Sequence, residues 1–168
     1  MRGCKATKSP LSSAHTISPG PTRLVLYTDG ASRGNPGPAA IGALILDEAG
    51  QVLQTLSETI GIATNNVAEY TALLRAIEVA RRMSPRAIDC RMDSELIVLQ
   101  MRGVYRIKHP KMVALAQQVR AVCLKMPDCA ITFSHVRRAY NVDADALANA
   151  ALDKEDRIED NGVAESHR

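Results

Sequence analysis

Four carboxylates in this chain stand where a carboxylate needs a reason. In the run Asn65 to Met83 (NNVAEYTALLRAIEVARRM), Thr71, Arg75, Glu78 and Arg82 gather into one polar stripe at the helical period of about 100° per residue. Glu69 lies opposite that stripe, in line with Ala72, Leu73, Ala76 and Ala80. A charge facing a core is costly unless a partner, a hydrogen-bond network or a metal compensates it. Asp29, Asp93 and Asp145 are the candidates to complete a metal site with it. Magnesium takes hard oxygen ligands, and carboxylate is their usual protein source. Two such ions about 3.5–4 Å apart clamp the attacking and leaving oxygens of an in-line displacement. Carboxylates packed that closely repel one another, so without metal their pKa values should rise.

Each acid also has a plainer reading. Asp29 before Gly30 fits turn chemistry. Glu69 follows Asn66 at the spacing of a capping box. Asp93 alternates with Asp89 and Arg91, as on a solvated strand face, and Asp145 falls near a helix amino terminus, where acids are favoured.

The elements that must position these groups follow from pattern. Leu24 to Tyr27 is a short apolar run, as in a strand covered on both faces. Gly30 to Pro38 reads as a loop, Ile41 to Leu46 and Val52 to Thr59 as two strands, with Glu48 to Gly50 turning between them. A long helix begins near Asn66 and closes at Ser84-Pro85. Ala87 to Met92 is a fourth strand, Ser94 to Met101 a short helix, and Pro110 to Lys125 a helix with proline in its first turn. Cys129 to Val136 is a fifth strand, and Asn141 to Leu152 a last helix. A three-strand meander followed by alternating helices and strands gives an α/β fold, a mixed five-stranded sheet flanked by helices. Asp29 and Asp93 then sit directly after strands, where such sheets collect functional groups.

Composition bounds the rest. A chain of 168 residues with 46% apolar content suits one globular domain, and with one Phe, four Tyr and no Trp its core must be aliphatic. Residues 1–22, rich in Ser, Thr, Pro and Gly, read as a flexible basic arm, residues 23–152 as the domain, and residues 153–168 as a charged, disordered tail. That tail holds six acidic residues against three basic ones, so with a net charge of +3 the rest of the chain is modestly basic, which fits an anionic partner such as nucleic acid. No stretch approaches the roughly 18 apolar residues of a membrane span. The four cysteines show neither CxxC pairing nor zinc spacing and are read as reduced thiols of a cytoplasmic protein.

Four segments carry a resemblance. Tyr27 to Pro38 (YTDGASRGNPGP) resembles the opening signature of type 1 ribonuclease H, and Thr64 to Glu69 (TNNVAE) that family's second motif. Asp93-Ser94-Glu95-Leu96 is similar to the third, and His135 through Asn141 and Asp145 to Ala148 to the fourth. The resemblance spans roughly residues 23–152 and departs at none of the four acids.

It implies endonucleolytic hydrolysis of the RNA strand of an RNA–DNA hybrid, leaving 5′-phosphate and 3′-hydroxyl ends. Two Mg2+ ions, replaceable by Mn2+, would be held by Asp29, Glu69, Asp93 and Asp145, while His135 would assist proton transfer or product departure. Asn35, Asn65 and Asn66 would read the 2′-hydroxyl that separates RNA from DNA, with Gly30 and Ser32 contributing backbone contacts and Asn141 a further one. Thr64 would hold a phosphate of the DNA strand. Arg102, Arg106, Lys108, His109 and Lys111 form a basic stretch suited to backbone phosphates. The protein would act as a monomer. Two rivals remain open: a catalytically silent hybrid-binding domain, and a nuclease of the same fold acting on DNA or double-stranded RNA.

Overall fold

The computed structural model describes residues 20–165, with side chains described to residue 158. The expected amino-terminal arm lies outside the described residues up to residue 19. The elements are β1 (Arg23–Ser32), β2 (Gly37–Leu46), β3 (Val52–Ala63), α1 (Asn65–Arg81), β4 (Ala87–Met92), α2 (Glu95–Met101), α3 (Pro110–Leu124), β5 (Ala130–His135) and α4 (Val142–Glu165). The five strands form one sheet in the order β3-β2-β1-β4-β5. The first three make an antiparallel meander, and β4 and β5 join it in parallel. This is the mixed sheet expected from the sequence.

The two neighbours of β1 end at different heights. Its antiparallel ladder with β2 runs on to Ser32 opposite Ala39, whereas its parallel ladder with β4 stops at Tyr27 opposite Arg91. Beyond Tyr27 the sheet is therefore split, and Asp29 and Asp93 lie at the two banks of the split.

Helices cover both faces. Leu24 and Leu26 of β1 and Ile88, Cys90 and Met92 of β4 are fully buried in one core with Leu73, Ala76 and Ile77 of α1 and Ala116 and Val119 of α3. Tyr70 is also fully buried, its hydroxyl donating to Gln100 Oε1 at 2.9 Å, so this buried aromatic leaves no polar atom stranded. Helix α4 lies on β1, β2 and β3.

Two glycines set how closely these helices approach. A Cβ at Gly30 would sit 2.2 Å from the backbone nitrogen of Glu69, and one at Gly42 only 2.0 Å from the carbonyl oxygen of Ala144. Gly42 pairs with Asp29 in the ladder, so α4 is pressed onto the sheet beside that aspartate.

Several boundaries differ from the sequence reading, β3 among them, which runs on past Thr59 to Ala63. Strand β1 continues to Ser32 and β2 starts at Gly37, which shortens the expected Gly30–Pro38 loop. The ladder supplies partners for backbone groups that would otherwise be left bare, and the turn is closed by Arg33 N–H donating to Pro38 O at 2.8 Å. Helix α1 starts at Asn65, capped by Thr64. Helix α4 does not end at Leu152 but runs to Glu165, so residues 153–165, expected to be disordered, are helical. No Gly or Pro interrupts the chain between Leu152 and Asn161, and its Lys, Glu and Arg residues are sound helix formers.

Candidate active site

Asp29 comes from β1, Glu69 from the second turn of α1, and Asp93 from the residue after β4. The local fold explains each position. Thr64 adopts extended backbone, and its Oγ1 accepts from Val67 N–H at 3.3 Å, which fixes the start of α1. Glu69 is therefore free of the capping-box duty that its spacing from Asn66 allowed. It lies buried where Gly30 lets the helix touch the strand.

One carboxylate oxygen from each of Asp29, Glu69 and Asp93 falls within 4.8 Å of the others. Asp29 and Glu69 are only 6% and 7% exposed. Burial, then the charge of Asp93, then Asp145 push the Asp29 carboxyl up to about 7. Burial, followed by the charges of Asp29 and Asp93, pushes Glu69 up to about 9, against a weaker opposing pull from Arg138. Glu69 Oε2 is buried with no hydrogen-bond partner. Three converging carboxylates, one with an orphaned oxygen, form a site that calls for a cation or for protons. The hard-oxygen donor set fits a divalent ion such as magnesium.

Asp145 stands beside this group rather than in it. It neighbours Asp29 closely enough to raise that carboxyl. Its own carboxylate accepts from Asn149 Nδ2 at 3.1 Å and lies 3.9 Å from Arg138 Nη2. Arg138 went unremarked in the sequence reading, although a cation between His135 and Asp145 in HVRRAYNVDAD was the available signal.

Asn141 requires a correction. It is 1% exposed, and its amide nitrogen donates to Asp93 Oδ1 at 3.2 Å and to Thr28 O at 3.0 Å. A residue sealed in this way fixes Asp93 against β1 and cannot contact a substrate directly. His135 ends β5, paired in register with Met92, the residue before Asp93, and is exposed.

The expected reading residues gather on one rim. Asn35 Oδ1 accepts from Asn65 N–H at 3.1 Å, and Ser32 Oγ donates to Ala63 O at 2.9 Å. The β1–β2 turn and the start of α1 are thereby joined, with Asn65 and Asn66 exposed. Gly30 is buried under α1. The basic stretch instead occupies the connection between α2 and α3 and the first turn of α3. Arg106, Lys108, His109 and Lys111 are exposed there, while Arg102 Nε is already committed to Phe133 O at 2.8 Å.

A sequence profile described as reverse transcriptase-like matches residues 27–151. The ribonuclease HI of Halobacterium salinarum is 44% identical over 131 residues, covering 78% of this chain and 65% of that protein. The chain belongs to the type 1 ribonuclease H family. A bifunctional protein of Mycobacterium tuberculosis is 40% identical over 132 residues, 78% of this chain but 36% of its own length. The chain thus spans less than two thirds of these curated relatives. Among solved structures, LC11-RNase H1, isolated from compost and crystallised with an RNA/DNA hybrid, is 43% identical with a TM-score of 0.75. That match covers 79% of this chain and 98% of the solved one.

Proposed function

We propose that this protein is an endoribonuclease that hydrolyses the RNA strand of RNA–DNA hybrids, leaving 5′-phosphate and 3′-hydroxyl ends. The observation that carries the reading is the meeting at one point of Asp29, Glu69 and Asp93, from three separate parts of the fold, the first two buried and the third half-buried. The similar protein crystallised with a hybrid supports the substrate class.

Asp29, Glu69 and Asp93 would hold the first divalent ion, and Asp29 with Asp145 would share in a second, Mg2+ or Mn2+. Bound there, the ions supply charge neutralisation and Lewis acidity for in-line displacement at phosphorus. The protein's own work is placement. Asn141 pins Asp93. Arg138 stands against Asp145 and weakly offsets the charge on Glu69. Asn35, Asn65 and Asn66 present amides, each able to donate to and accept from a 2′-hydroxyl. His135, exposed at the end of β5 opposite Met92, would exchange a proton with the leaving group or with water.

All three grouped carboxylates come from one chain, which supports action as a monomer. Cys90, Cys123 and Cys129 are free thiols, which supports a reducing, cytoplasmic setting. No helix among the described residues is long and apolar enough to cross a membrane.

The test is cleavage of labelled RNA annealed to DNA in magnesium, beside duplex DNA, duplex RNA and single strands, with Asp93→Asn in parallel. Cutting of the hybrid alone, abolished in the variant while binding survives, is the expected result. Binding without cutting in both magnesium and manganese would favour a silent hybrid-binding domain. Equal cutting of duplex RNA or DNA would favour the broader nuclease.

A further inference from the structure

Arg33 is a cation inside the turn that carries Ser32 and Asn35, yet it points away from them. Its guanidinium forks across two carboxylates of α4, Nη2 on Asp153 and Nη1 on Asp156. These two acids are three apart in sequence, hence on one face of the helix. They belong to the part of α4 beyond Leu152, which the sequence reading left as a loose tail. The same helix carries Asp145 near its other end. From Asp145 to Asp153 is eight residues, about 12 Å along the axis at 1.5 Å per residue. On either side of Arg33 the turn is tied to the end of β3, by Ser32 Oγ on Ala63 O, and to the start of α1, by Asn65 N–H on Asn35 Oδ1.

We infer that the Arg33–Asp153–Asp156 fork makes α4 a strut that sets the distance between the 2′-hydroxyl-reading turn and the carboxylate site. Arg33, Asp153 and Asp156 are positioning residues for substrate binding, and the inference rests on the function proposed above. The turn is held from both sides, by the end of β3 and the start of α1 through neutral hydrogen bonds and by α4 through the fork. Only the second tie crosses from the reading turn to the helix of Asp145. Both partners are exposed, so the pairs hold the turn's setting rather than the fold. Loss of the fork should therefore weaken hybrid binding and leave the chemical step alone.

The experiment compares the parent with Arg33→Gln, Asp153→Asn/Asp156→Asn, and the charge swap Arg33→Glu/Asp153→Arg/Asp156→Arg. Cleavage kinetics are measured in magnesium, and anisotropy of a labelled hybrid is measured in chelator. Arg33→Gln and the double Asn variant should each raise KM and the hybrid Kd by about threefold to tenfold, the scale of one or two exposed ion pairs. Their kcat should stay within about twofold, and the swap should restore KM. A rise with Arg33→Gln that neither the double Asn variant reproduces nor the swap repairs would mean that Arg33 touches phosphate itself, which overturns the strut. So would a lower KM in the double Asn variant, which would make the acids competitors of the substrate. Unchanged KM and Kd throughout would also overturn it. If the parent binds hybrid but does not cut it, the proposed function fails, while the anisotropy series still decides the strut.

Discussion

Glu69 and Asp29 make pH dependence a diagnostic of the site. Both carboxyls have folded-state pKa values raised above their ordinary ones, to about 9 and about 7. Below pH of about 4 the folded and unfolded chains both carry these protons, and the pair contributes no slope. Between there and the folded values, the folded protein holds protons that the unfolded chain has released. Its stability must then fall as pH rises through about 7 for Asp29 and about 9 for Glu69. Urea midpoints of the chelated protein should decline over that window, and Glu69→Gln should flatten the alkaline part of the decline. Magnesium should raise the midpoint more at high pH than at low pH, because it needs the deprotonated site. A chelated parent whose midpoint rises from pH 5 to 8 no less than that of Glu69→Gln would contradict the raised values. At the same scale, Asn141→Ala leaves Asp93 without its one side-chain donor. A drop in kcat of about tenfold or more is expected, as for residues that orient metal-binding groups, with hybrid Kd in chelator nearly unchanged. A selective loss of binding instead would return Asn141 to the substrate surface.

Elements matter through the closeness of their contacts, and Gly42 is the clearest case. A methyl there would meet Ala144 O at 2.0 Å and Ala148 N at 2.6 Å, both backbone, so α4 as a whole would have to lift. Gly42→Ala should cost about 1–3 kcal/mol in urea unfolding, the range for overpacking. It should also lower kcat, because Asp145 rides on the displaced helix. Full activity with parental stability would mean that α4 sits farther from β2. This contact also shows where sequence reading stops. The apolar stripe of α1 exposed Glu69 as an anomaly, and the order of strands and helices was legible from periodicity and turn residues. Gly42 within an apolar strand gave no sign of which helix would press on it, because helix–sheet distance is a tertiary quantity. Gly30 to Pro38 looked like a loop because Gly and Pro break patterns locally. Yet the ladder with β2 carried β1 through Ser32. Asn141 sat in a recognisable motif, but its direction, inward to Asp93 rather than outward to substrate, depends on how the segment after β5 folds back. The charged end of α4 looked unstructured because only Arg33, more than a hundred residues away in sequence, reveals what it binds.

The whole molecule divides its charge in a way that binding should report. The acidic end of the chain begins on α4, where Asp153 and Asp156 are occupied by Arg33. Exposed cations cluster instead between α2 and α3, with Arg106, Lys108 and His109 in the connection and Lys111 in the first turn of α3. With Arg102 bound to Phe133 O, Arg106, Lys108 and Lys111 are the exposed long cations of that stretch with no side-chain partner among the described residues, and the first two lie in the connection itself. If they lie along backbone phosphates, each should release about one condensed counterion on binding. Anisotropy titrations of a labelled hybrid between about 50 and 200 mM salt would measure this directly. Arg106→Ala and Lys108→Ala should each reduce the slope of log K against log salt by about 1, and the double variant by about 2. Affinity for hybrid and for duplex DNA should fall by the same factor, since phosphate contacts carry no information about the sugar. Asn65→Ala should do the reverse: the slope stays, and the preference for hybrid over duplex DNA shrinks, because the lost amide is the one proposed to read the 2′-hydroxyl. A double variant with the parental slope would place the hybrid away from the α2–α3 connection. Grip on this chain would then have to come from the rim formed by the β1–β2 turn and the start of α1, or from the exposed Arg137 and Arg138 near Asp145.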